Sequence, residues 1–257
     1  EAGEATLETT FPELTELDLP QTDRGLKNFG GKRCGGSLVV AFRVSCNTVF
    51  AQLGLDLGER LASGIESFGI GASVPFDLPV VRSTGPVAGT FKADQPSFAN
   101  AAIGQGDVAV TPLQMALVAA GVANAGVIMR PSLVSEIRDV DGTVVEATRP
   151  RAWKQVMTDK TAADLRRLMV DVVERGTGAA ARIPGVAVAG KTGTAQAPGG
   201  SPHAWFIGFA PADNPRFAIA VLVERGGSVG DEATGGRVAA PVAKAVLSAL
   251  LSGSRAP

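Results

Sequence analysis

The chain has 257 residues, a length that fits one large domain or two smaller ones. Its 24 Lys and Arg residues nearly balance 25 Asp and Glu residues, so the formal net charge is −1, which argues against binding to a nucleic acid backbone. Hydrophobic residues make up 45% of the chain, enough for a packed core, and this excludes disorder as the overall state.

The single histidine and the two cysteines limit the metal chemistry open to the chain. A structural zinc site needs four Cys or His ligands, and Cys34, Cys46 and His203 cannot supply them. The two cysteines can form one disulfide in an oxidising compartment or remain two separate buried thiols, and separate thiols are the simpler interpretation. No stretch reaches the 18 or so apolar residues that span a bilayer.

The predicted elements divide the chain into a helix-rich part and a strand-rich part. Residues 1–36 are polar and rich in turn residues, and residues 69–111 are rich in loops. Helical periodicity and capping residues predict helices over residues 37–53, 57–68, 112–124, 158–175 and 238–251. Alternating or β-branched runs predict strands over residues 134–137, 144–145, 186–196, 204–209 and 217–224. A helical block followed by an antiparallel meander and a terminal helix predicts an α+β fold.

Residues 185–192 match the phosphate-binding loop G-x-x-x-x-G-K-[ST]. That loop requires a strand before its first glycine and a helix that begins at its lysine. Pro184 precedes the first glycine, and the chain continues to Pro198-Gly199-Gly200, which cannot open a helix. We therefore reject a nucleotide-binding loop.

Residues 226–230 match the G-x-S-x-G pattern of a nucleophile elbow. An elbow requires a helix directly after its serine and a histidine later in the chain. Loop residues follow Ser228, and the only histidine, His203, lies upstream. A glycine-rich turn is the better interpretation.

Lys191-Thr192-Gly193-Thr194 lies within a predicted strand. Thr192 and Thr194 then share one face and Lys191 the other, although the long lysine stem can reach around an edge. Gly193 leaves the strand open to close approach of a substrate backbone. An edge strand with a cation and two hydroxyls suits an extended peptide that ends in a free carboxylate. The alternative is a Thr-rich edge strand with an unrelated lysine.

Ser45-Cys46-Asn47 interrupts the first apolar stripe. On a straight helix Ser45 and Asn47 would lie about 200° apart. Both can reach one pocket only if the helix breaks there and Cys46 turns into the core. The alternative is two unrelated polar residues on a helix surface.

A Ser-x-Asn triplet followed by a strand-borne Lys-Thr-Gly resembles the penicillin-binding proteins and serine β-lactamases. Further strings narrow the resemblance to class B transpeptidase domains of the penicillin-binding-protein-A-like, actinobacterial type. These strings are Ser45-Cys-Asn-Thr-Val-Phe, Gly104-Gln-Gly106, Thr111-Pro-Leu-Gln-Met, Asn124-Ala-Gly126, Ala189-Gly-Lys-Thr-Gly-Thr-Ala-Gln196, Ala204-Trp-Phe-Ile-Gly-Phe-Ala-Pro211 and Gly235-Gly236 with Ala240-Pro241.

The resemblance implies an antiparallel sheet flanked by helices and most of one transpeptidase domain. Within it, residues 1–185 would form the helix- and loop-rich part with Ser-x-Asn, and residues 186–257 the meander with Lys-Thr-Gly and a terminal helix. It also implies cross-linking of peptidoglycan stem peptides that end in D-Ala-D-Ala, through a serine acyl-enzyme that β-lactams trap. No metal or cofactor is expected.

The resemblance also assigns roles to particular residues. Ser45, Asn47 and Lys191 would be catalytic, and Thr192, Gly193, Thr194 and Gln196 would bind substrate. Other cell-wall synthesis proteins would be partners, and the location would be the outer face of the cytoplasmic membrane, with an N-terminal anchor outside this sequence.

One departure from the family pattern is serious, because no serine of the chain has a lysine three positions later. By resemblance the nucleophile and its lysine lie upstream of Glu1, so the chain alone would be inactive. The alternatives are a β-lactamase or D,D-carboxypeptidase of the same fold, or a non-catalytic β-lactam-sensing or scaffold domain.

Overall fold

The computed structural model describes residues 1–197 and 200–253; Pro198-Gly199, predicted as part of a loop, lies outside them. The helices are α1 Leu38–Val44, α2 Asn47–Leu57, α3 Glu59–Ser67, α4 Gln95–Ala101, α5 Pro112–Ala123, α6 Asp159–Arg175 and α7 Ala240–Gly253. The strands are β1 Thr10–Leu14, β2 Glu16–Leu17, β3 Leu26–Lys27, β4 Cys34–Ser37, β5 Val127–Met129, β6 Glu136–Arg138, β7 Val144–Ala147, β8 Ala152–Gln155, β9 Ala189–Ala197, β10 Gly200–Ala210 and β11 Phe217–Val223.

Local sequence signals account for the longer helices. The Thr111 side chain accepts a hydrogen bond from the Gln114 backbone N–H at the start of α5, and Thr158 caps α6 in the same way through Thr161. These contacts satisfy backbone donors that have no partner inside the helix. The predicted helix starts at both positions are confirmed.

The central sheet is antiparallel, in the order β11-β10-β9. One apolar cluster packs α7 against it through Phe206 and Leu247, and a second packs α5 and α6 against it through Val122, Met169 and Phe209. Because β9 is paired on one side only within the described residues, its other edge can receive an extended partner. The predicted meander and its helical cover are confirmed.

Two predictions about the first 111 residues are wrong, whereas residues 69–111 are rich in loops as predicted, with α4 capped by Asp94 among them. Residues 1–36 are not irregular throughout, because β1 pairs with β4 and β2 pairs with β3. Cys34 and Cys46 are joined in a disulfide rather than separate. These features depend on contacts between segments, which the local residue pattern does not contain.

Candidate active site

The apolar stripe predicted as one helix is broken at Ser45. This residue lies in the left-handed region (φ 60°, ψ 55°) and ends α1, while Cys46 is extended and α2 begins at Asn47. Cys46 is only 1% exposed, and its disulfide to Cys34 holds the break against β4. The continuous helix predicted over residues 37–53 is therefore wrong, and the structure has the break, with the cysteine turned into the core, that a shared pocket requires. Ser45 and Asn47 therefore line one cleft.

Asn28 holds the start of α2 from a different segment. Cys46, the N-cap residue of α2, gives no side-chain cap; instead Asn28 Oδ1 accepts a hydrogen bond of 3.0 Å from the Thr48 backbone N–H. Asn28 Nδ2 also donates to the Leu14 carbonyl at 2.8 Å. The Asn47 carboxamide is tied to the same region, since its Nδ2 donates to the Lys27 carbonyl at 3.1 Å. Sequence reasoning missed Asn28, because nothing near it in the chain indicates a helix to cap.

We expect Asn28→Ala to lower the free energy of unfolding by about 1–3 kcal/mol, because it leaves the buried Thr48 N–H without an acceptor. Asn28→Asp keeps the acceptor but places an unpaired carboxylate at a buried position against the Leu14 carbonyl, so it should also destabilise the protein. Urea unfolding measures both. Asn214→Ala, at an exposed position, is the matched control, and a midpoint for Asn28→Ala equal to that control would contradict the capping role.

Lys191 meets Ser45 across the cleft. Its Nζ donates to Ser45 Oγ at 2.7 Å, although the two residues are 146 positions apart, and to the Thr192 carbonyl at 3.0 Å. The ammonium also lies 5.7 Å from the centre of the Phe42 ring. The lysine stem therefore reaches around the edge of β9, as predicted.

Burial controls the charge of this lysine. It lowers the pKa of Lys191 from 10.5 to about 8, because the charged form loses hydration. At neutral pH the side chain is still mostly a cation, but its proton is much easier to remove than that of an exposed lysine. A group of this kind can hold and move a proton next to a hydroxyl.

The two threonines of β9 differ in their surroundings. Thr192 is buried at 9% exposure, and its hydroxyl lies 2.5 Å from that of Thr177, a residue that sequence reasoning missed. Thr194 is less buried and lines the cleft. The Thr194 carbonyl accepts from the Gln105 side chain, and the Thr192 carbonyl accepts from Lys191 of the same strand. Because Gln105 lies outside the sheet, the Thr194 carbonyl, and with it the Thr194 N–H, points to the free edge of β9.

The glycines near β9 make room for close backbone packing. A Cβ on Gly193 would lie 3.2 Å from the Cβ of Trp205 on β10, and a Cβ on Gly235 would lie 2.0 Å from the Trp205 carbonyl oxygen. Gly235 begins a π-helical turn, Gly235–Ala239, that leads into α7. At Gly235 this turn therefore packs directly on backbone atoms of β9 and β10.

An ion cluster around the buried Asp171 holds the end of α1. Asp171 on α6 is 7% exposed, and its carboxylate lies 3.6 Å from Arg43 Nη1 and 2.5 Å from Arg175 Nη2. The Arg43 carbonyl accepts from the Thr177 backbone N–H at 3.4 Å. These contacts tie the segment that ends at Ser45 to the segment beside Thr192.

All seven predicted site residues line one cleft of about 1020 Å³. They are Ser45, Asn47, Lys191, Thr192, Gly193, Thr194 and Gln196. Neither rejected motif has the structure it requires: Lys191 and Thr192 continue a strand rather than begin a helix, and Ser228 lies in a turn outside the cleft lining. His203 Nδ1 accepts from the Arg225 backbone N–H at 3.2 Å. No group of three potential metal ligands occurs among the residues that the structure describes.

A hydroxyl, a carboxamide and an ammonium beside an open strand edge are the elements that the sequence resemblance implies. The family described as "Penicillin binding protein transpeptidase domain" matches residues 12–248. The chain belongs to this family. Among its transpeptidase relatives, Peptidoglycan D,D-transpeptidase PbpA of Mycolicibacterium smegmatis is 41% identical over 255 residues, which cover 95% of this chain and 50% of that protein. PbpA of Mycobacterium tuberculosis is also 41% identical, over 92% of this chain and 49% of that protein.

Solved transpeptidase structures agree with the sequence comparison. Penicillin-binding protein A from M. tuberculosis, in its ceftriaxone acyl-enzyme complex, has a TM-score of 0.89 and 40% identity over 97% of this chain and 57% of that one. The D,D-transpeptidase domain of a peptidoglycan glycosyltransferase from Eggerthella lenta has a TM-score of 0.89 and 33% identity over 98% of this chain and 61% of that one. The predicted α+β, penicillin-binding-protein-like fold is confirmed.

The transpeptidase chain spans about half the length of the curated relatives it matches. Over residues 1–197 and 200–253, no helix has both the length and the apolar character needed to cross a membrane.

Proposed function

We propose that the protein containing this chain is a serine-type D,D-transpeptidase that cross-links peptidoglycan stem peptides ending in D-Ala-D-Ala and is trapped by β-lactams. The observation that carries the proposal is the 2.7 Å hydrogen bond from Lys191 Nζ to Ser45 Oγ beside the free edge of β9. It is supported by the D,D-transpeptidase names of the 41% identical relatives and by the β-lactam acyl-enzyme complexes of a similar structure.

The reaction needs a nucleophile that this sequence does not contain. No serine of the chain is followed three positions later by lysine, so we assign the acylating serine to a Ser-x-x-Lys element in an upstream part of the protein. Its Oγ would attack the carbonyl between the two D-Ala residues, the C–N bond would break, and the serine proton would pass to the departing D-Ala amine. An amine of a second stem would then attack the ester and form the new C–N bond while the ester C–O bond breaks, and the amine proton would pass to the serine oxygen. Dividing the acyl exchange in this way lowers the barrier of each step.

Ser45 and Lys191 are suited to move the proton in these steps. Because Lys191 donates to Ser45 Oγ, the Ser45 hydroxyl proton is free to point toward the leaving amine. A hydroxyl can accept and donate at once, so it can relay a proton between two heavy atoms. The lowered pKa of Lys191, about 8, keeps this exchange accessible near neutral pH.

The remaining site residues are suited to hold the donor peptide. Asn47 has an amide that can donate and accept, which fits a substrate amide and the missing lysine. The hydroxyls of Thr192 and Thr194 fit the terminal carboxylate, since charge-assisted hydrogen bonds are about twice as strong as neutral ones. The Thr194 backbone N–H would stabilise the oxyanion together with the N–H of the nucleophile, a contact typically worth about 10²–10³ in rate. Gln196 lines the outer end of the strand.

The proposal extends to partners and location. We assign other cell-wall synthesis proteins as partners, and the outer face of the cytoplasmic membrane, through an N-terminal anchor, as the site of action. The chemistry of an extracytoplasmic stem peptide requires such a location. The Cys34–Cys46 disulfide also fits an oxidising compartment.

Labelling of the full-length protein with a fluorescent penicillin tests the function. We expect a covalent adduct on an upstream serine by mass spectrometry, and about 10²-fold slower adduct formation in Ser45→Ala, because the proton relay is lost. Ser228→Ala, which removes the serine of the rejected motif, is the matched control and should label at the parent rate.

The same assay separates the alternatives. A long-lived adduct together with cross-linked product from a D-Ala-D-Ala donor and an amine acceptor supports a transpeptidase. Rapid release of hydrolysed penicillin indicates a β-lactamase, and free peptide acid as the only product indicates a carboxypeptidase. A protein that forms no adduct and turns over no donor is a scaffold, and the proposal is then overturned.

A further inference from the structure

The Gly104-Gln105-Gly106 turn places a carboxamide on the free edge of β9. Both glycines have left-handed backbone angles, with φ of 72° and 68°, which a glycine adopts without strain. The turn is closed by the Gln105 backbone N–H, which donates to the Asn100 carbonyl at 3.0 Å. The half-buried Gln105 side chain is therefore directed to the strand by the conformation of its own loop.

Gln105 pairs with β9 much as a neighbouring strand would. Its Nε2 donates to the Thr194 carbonyl at 3.0 Å, and its Oε1 accepts from the Gln196 backbone N–H at 3.1 Å. The Thr194 carbonyl and the Gln196 N–H point to the free edge of β9, and an extended substrate would hydrogen-bond to them next after the Thr194 N–H. A carbonyl oxygen can accept a second hydrogen bond, but a backbone N–H donates effectively to one acceptor, so the Gln196 N–H is already used.

The carboxamide is the chemical group that this position requires. One side-chain end must donate to a carbonyl and the other must accept from an N–H, and the planar carboxamide of Gln105 offers both from adjacent atoms. A glutamate would keep the acceptor but place a carboxylate, which cannot donate, against the Thr194 carbonyl. Within the described residues no side chain accepts in this way from the Thr194 N–H, which points to the same edge.

We propose that Gln105 blocks the free edge of β9 beyond Thr194 and so determines how many residues of the stem peptide can pair with this strand. This inference rests on the proposed transpeptidase function and adds a specificity residue to it. The C-terminal D-Ala-D-Ala unit pairs with the edge at Thr194, and the preceding residues are directed away from the strand because Gln105 occupies the next position. In the parent protein, a longer donor peptide therefore has little advantage in kcat/KM over a short one.

The test compares two donors in the full-length protein: acetyl-D-Ala-D-Ala and a pentapeptide that ends in D-Ala-D-Ala. We expect Gln105→Ala to raise the ratio of kcat/KM for the long donor to that for the short donor by about 5- to 30-fold, the equivalent of one or two new backbone hydrogen bonds. Gln105→Glu keeps an acceptor on the Gln196 N–H and releases only the Thr194 carbonyl, which pairs with a D-Ala N–H that both donors contain, so it should leave the ratio unchanged. Gln105→Met keeps the length of the side chain but makes neither bond, so it should raise the ratio as Gln105→Ala does and keeps the test valid where the alanine variant folds poorly.

Gln21 provides a matched control away from the cleft. Its Nε2 donates to the Lys92 carbonyl at 2.9 Å and its Oε1 accepts from the Gln95 backbone N–H at 2.9 Å, so Gln21→Ala removes the same pair of bonds elsewhere. It should leave the donor ratio unchanged. A merely structural role of Gln105 would lower kcat/KM equally for both donors, and an unchanged or lower ratio in folded Gln105→Ala or Gln105→Met overturns the inference. A parent protein that neither labels with penicillin nor turns over a donor overturns the proposed function, and the inference with it.

Discussion

Lys191→Met should slow acylation by a fluorescent penicillin by about 10³-fold, within the range expected for lost proton transfer and lost electrostatic stabilisation. Methionine has nearly the same length and apolar stem, so it keeps the packing against Phe42 while it removes the ammonium. Ser45 Oγ then loses its 2.7 Å donor, and the cleft loses the positive charge that attracts a carboxylate. The second-order rate constant for labelling of the full-length protein measures the loss.

The pH dependence of the labelling rate should also differ between the parent protein and Lys191→Met. Because the pKa of Lys191 is lowered to about 8, the parent labelling rate should fall above about pH 8 as the cation is lost, and this decline should be absent in Lys191→Met.

The stability of the parent protein, in contrast to its labelling rate, should increase over the same pH range. Between about pH 8 and 10.5 the unfolded state holds more protons at this lysine than the folded state, so the free energy of unfolding rises with pH in the parent. Urea unfolding at pH 7.5 and 10 should show less of this rise in the variant.

Lys154→Met is the control for Lys191→Met. Lys154 Nζ also lies near an aromatic ring, 5.5 Å from the centre of Trp153, but it does not line the cleft. Its replacement should leave both the labelling rate and its decline near pH 8 intact. Equal rates for the two methionine variants would show that the cation at position 191 has no part in acylation.

Gly235→Ala should destabilise the protein by about 3 kcal/mol or more, the range in which steric conflict in a packed interior falls. The added Cβ would lie 2.0 Å from the Trp205 carbonyl oxygen and 2.7 Å from that of Gly193. Both are backbone atoms of paired strands, so neither can yield without a shift of β9 or β10. Chemical unfolding measures the stability, and penicillin labelling should fall with it because the Lys-Thr-Gly segment moves.

Gly64→Ala is the matched control for the steric argument. Gly64 lies within α3, and a Cβ there meets no atom within 4 Å. The same substitution should therefore stabilise the protein by about 0.5–1 kcal/mol, because alanine is the better helix former. Opposite signs at the two positions confirm that close packing rather than loss of glycine itself is responsible. A Gly235→Ala variant as stable as the parent would contradict the packing of the π-helical turn on β9.

Residues close together in the chain determined much of the fold. Thr111 and Thr158 cap the helices that they were expected to begin, and the Lys-Thr-Gly strand is an edge strand as predicted. The break at Ser45 followed from the sequence only as a condition, since a hydroxyl and a carboxamide two positions apart cannot share a pocket on a continuous helix. These signals are local, because caps and strand alternation depend on neighbours within about four residues.

The predictions for residues 1–36 and for the two cysteines were wrong for the opposite reason. β1 and β4 are short strands whose pairing depends on each other, and neither carries an alternating pattern that stands out alone. Whether Cys34 and Cys46 pair depends on their distance in the folded chain, which a separation of 12 residues does not determine.

By itself, the sequence determined the family resemblance, the seven candidate site residues and the order of the main helices and strands. The tertiary structure alone decided which groups support that site: the cap from Asn28 on α2, the hydroxyl of Thr177 against Thr192, and the carboxamide of Gln105 on the edge of β9. Each of these contacts joins segments that lie 15 to 91 residues apart, and a hydrogen bond depends on distance and direction in space. Position along the chain carries that information only for near neighbours.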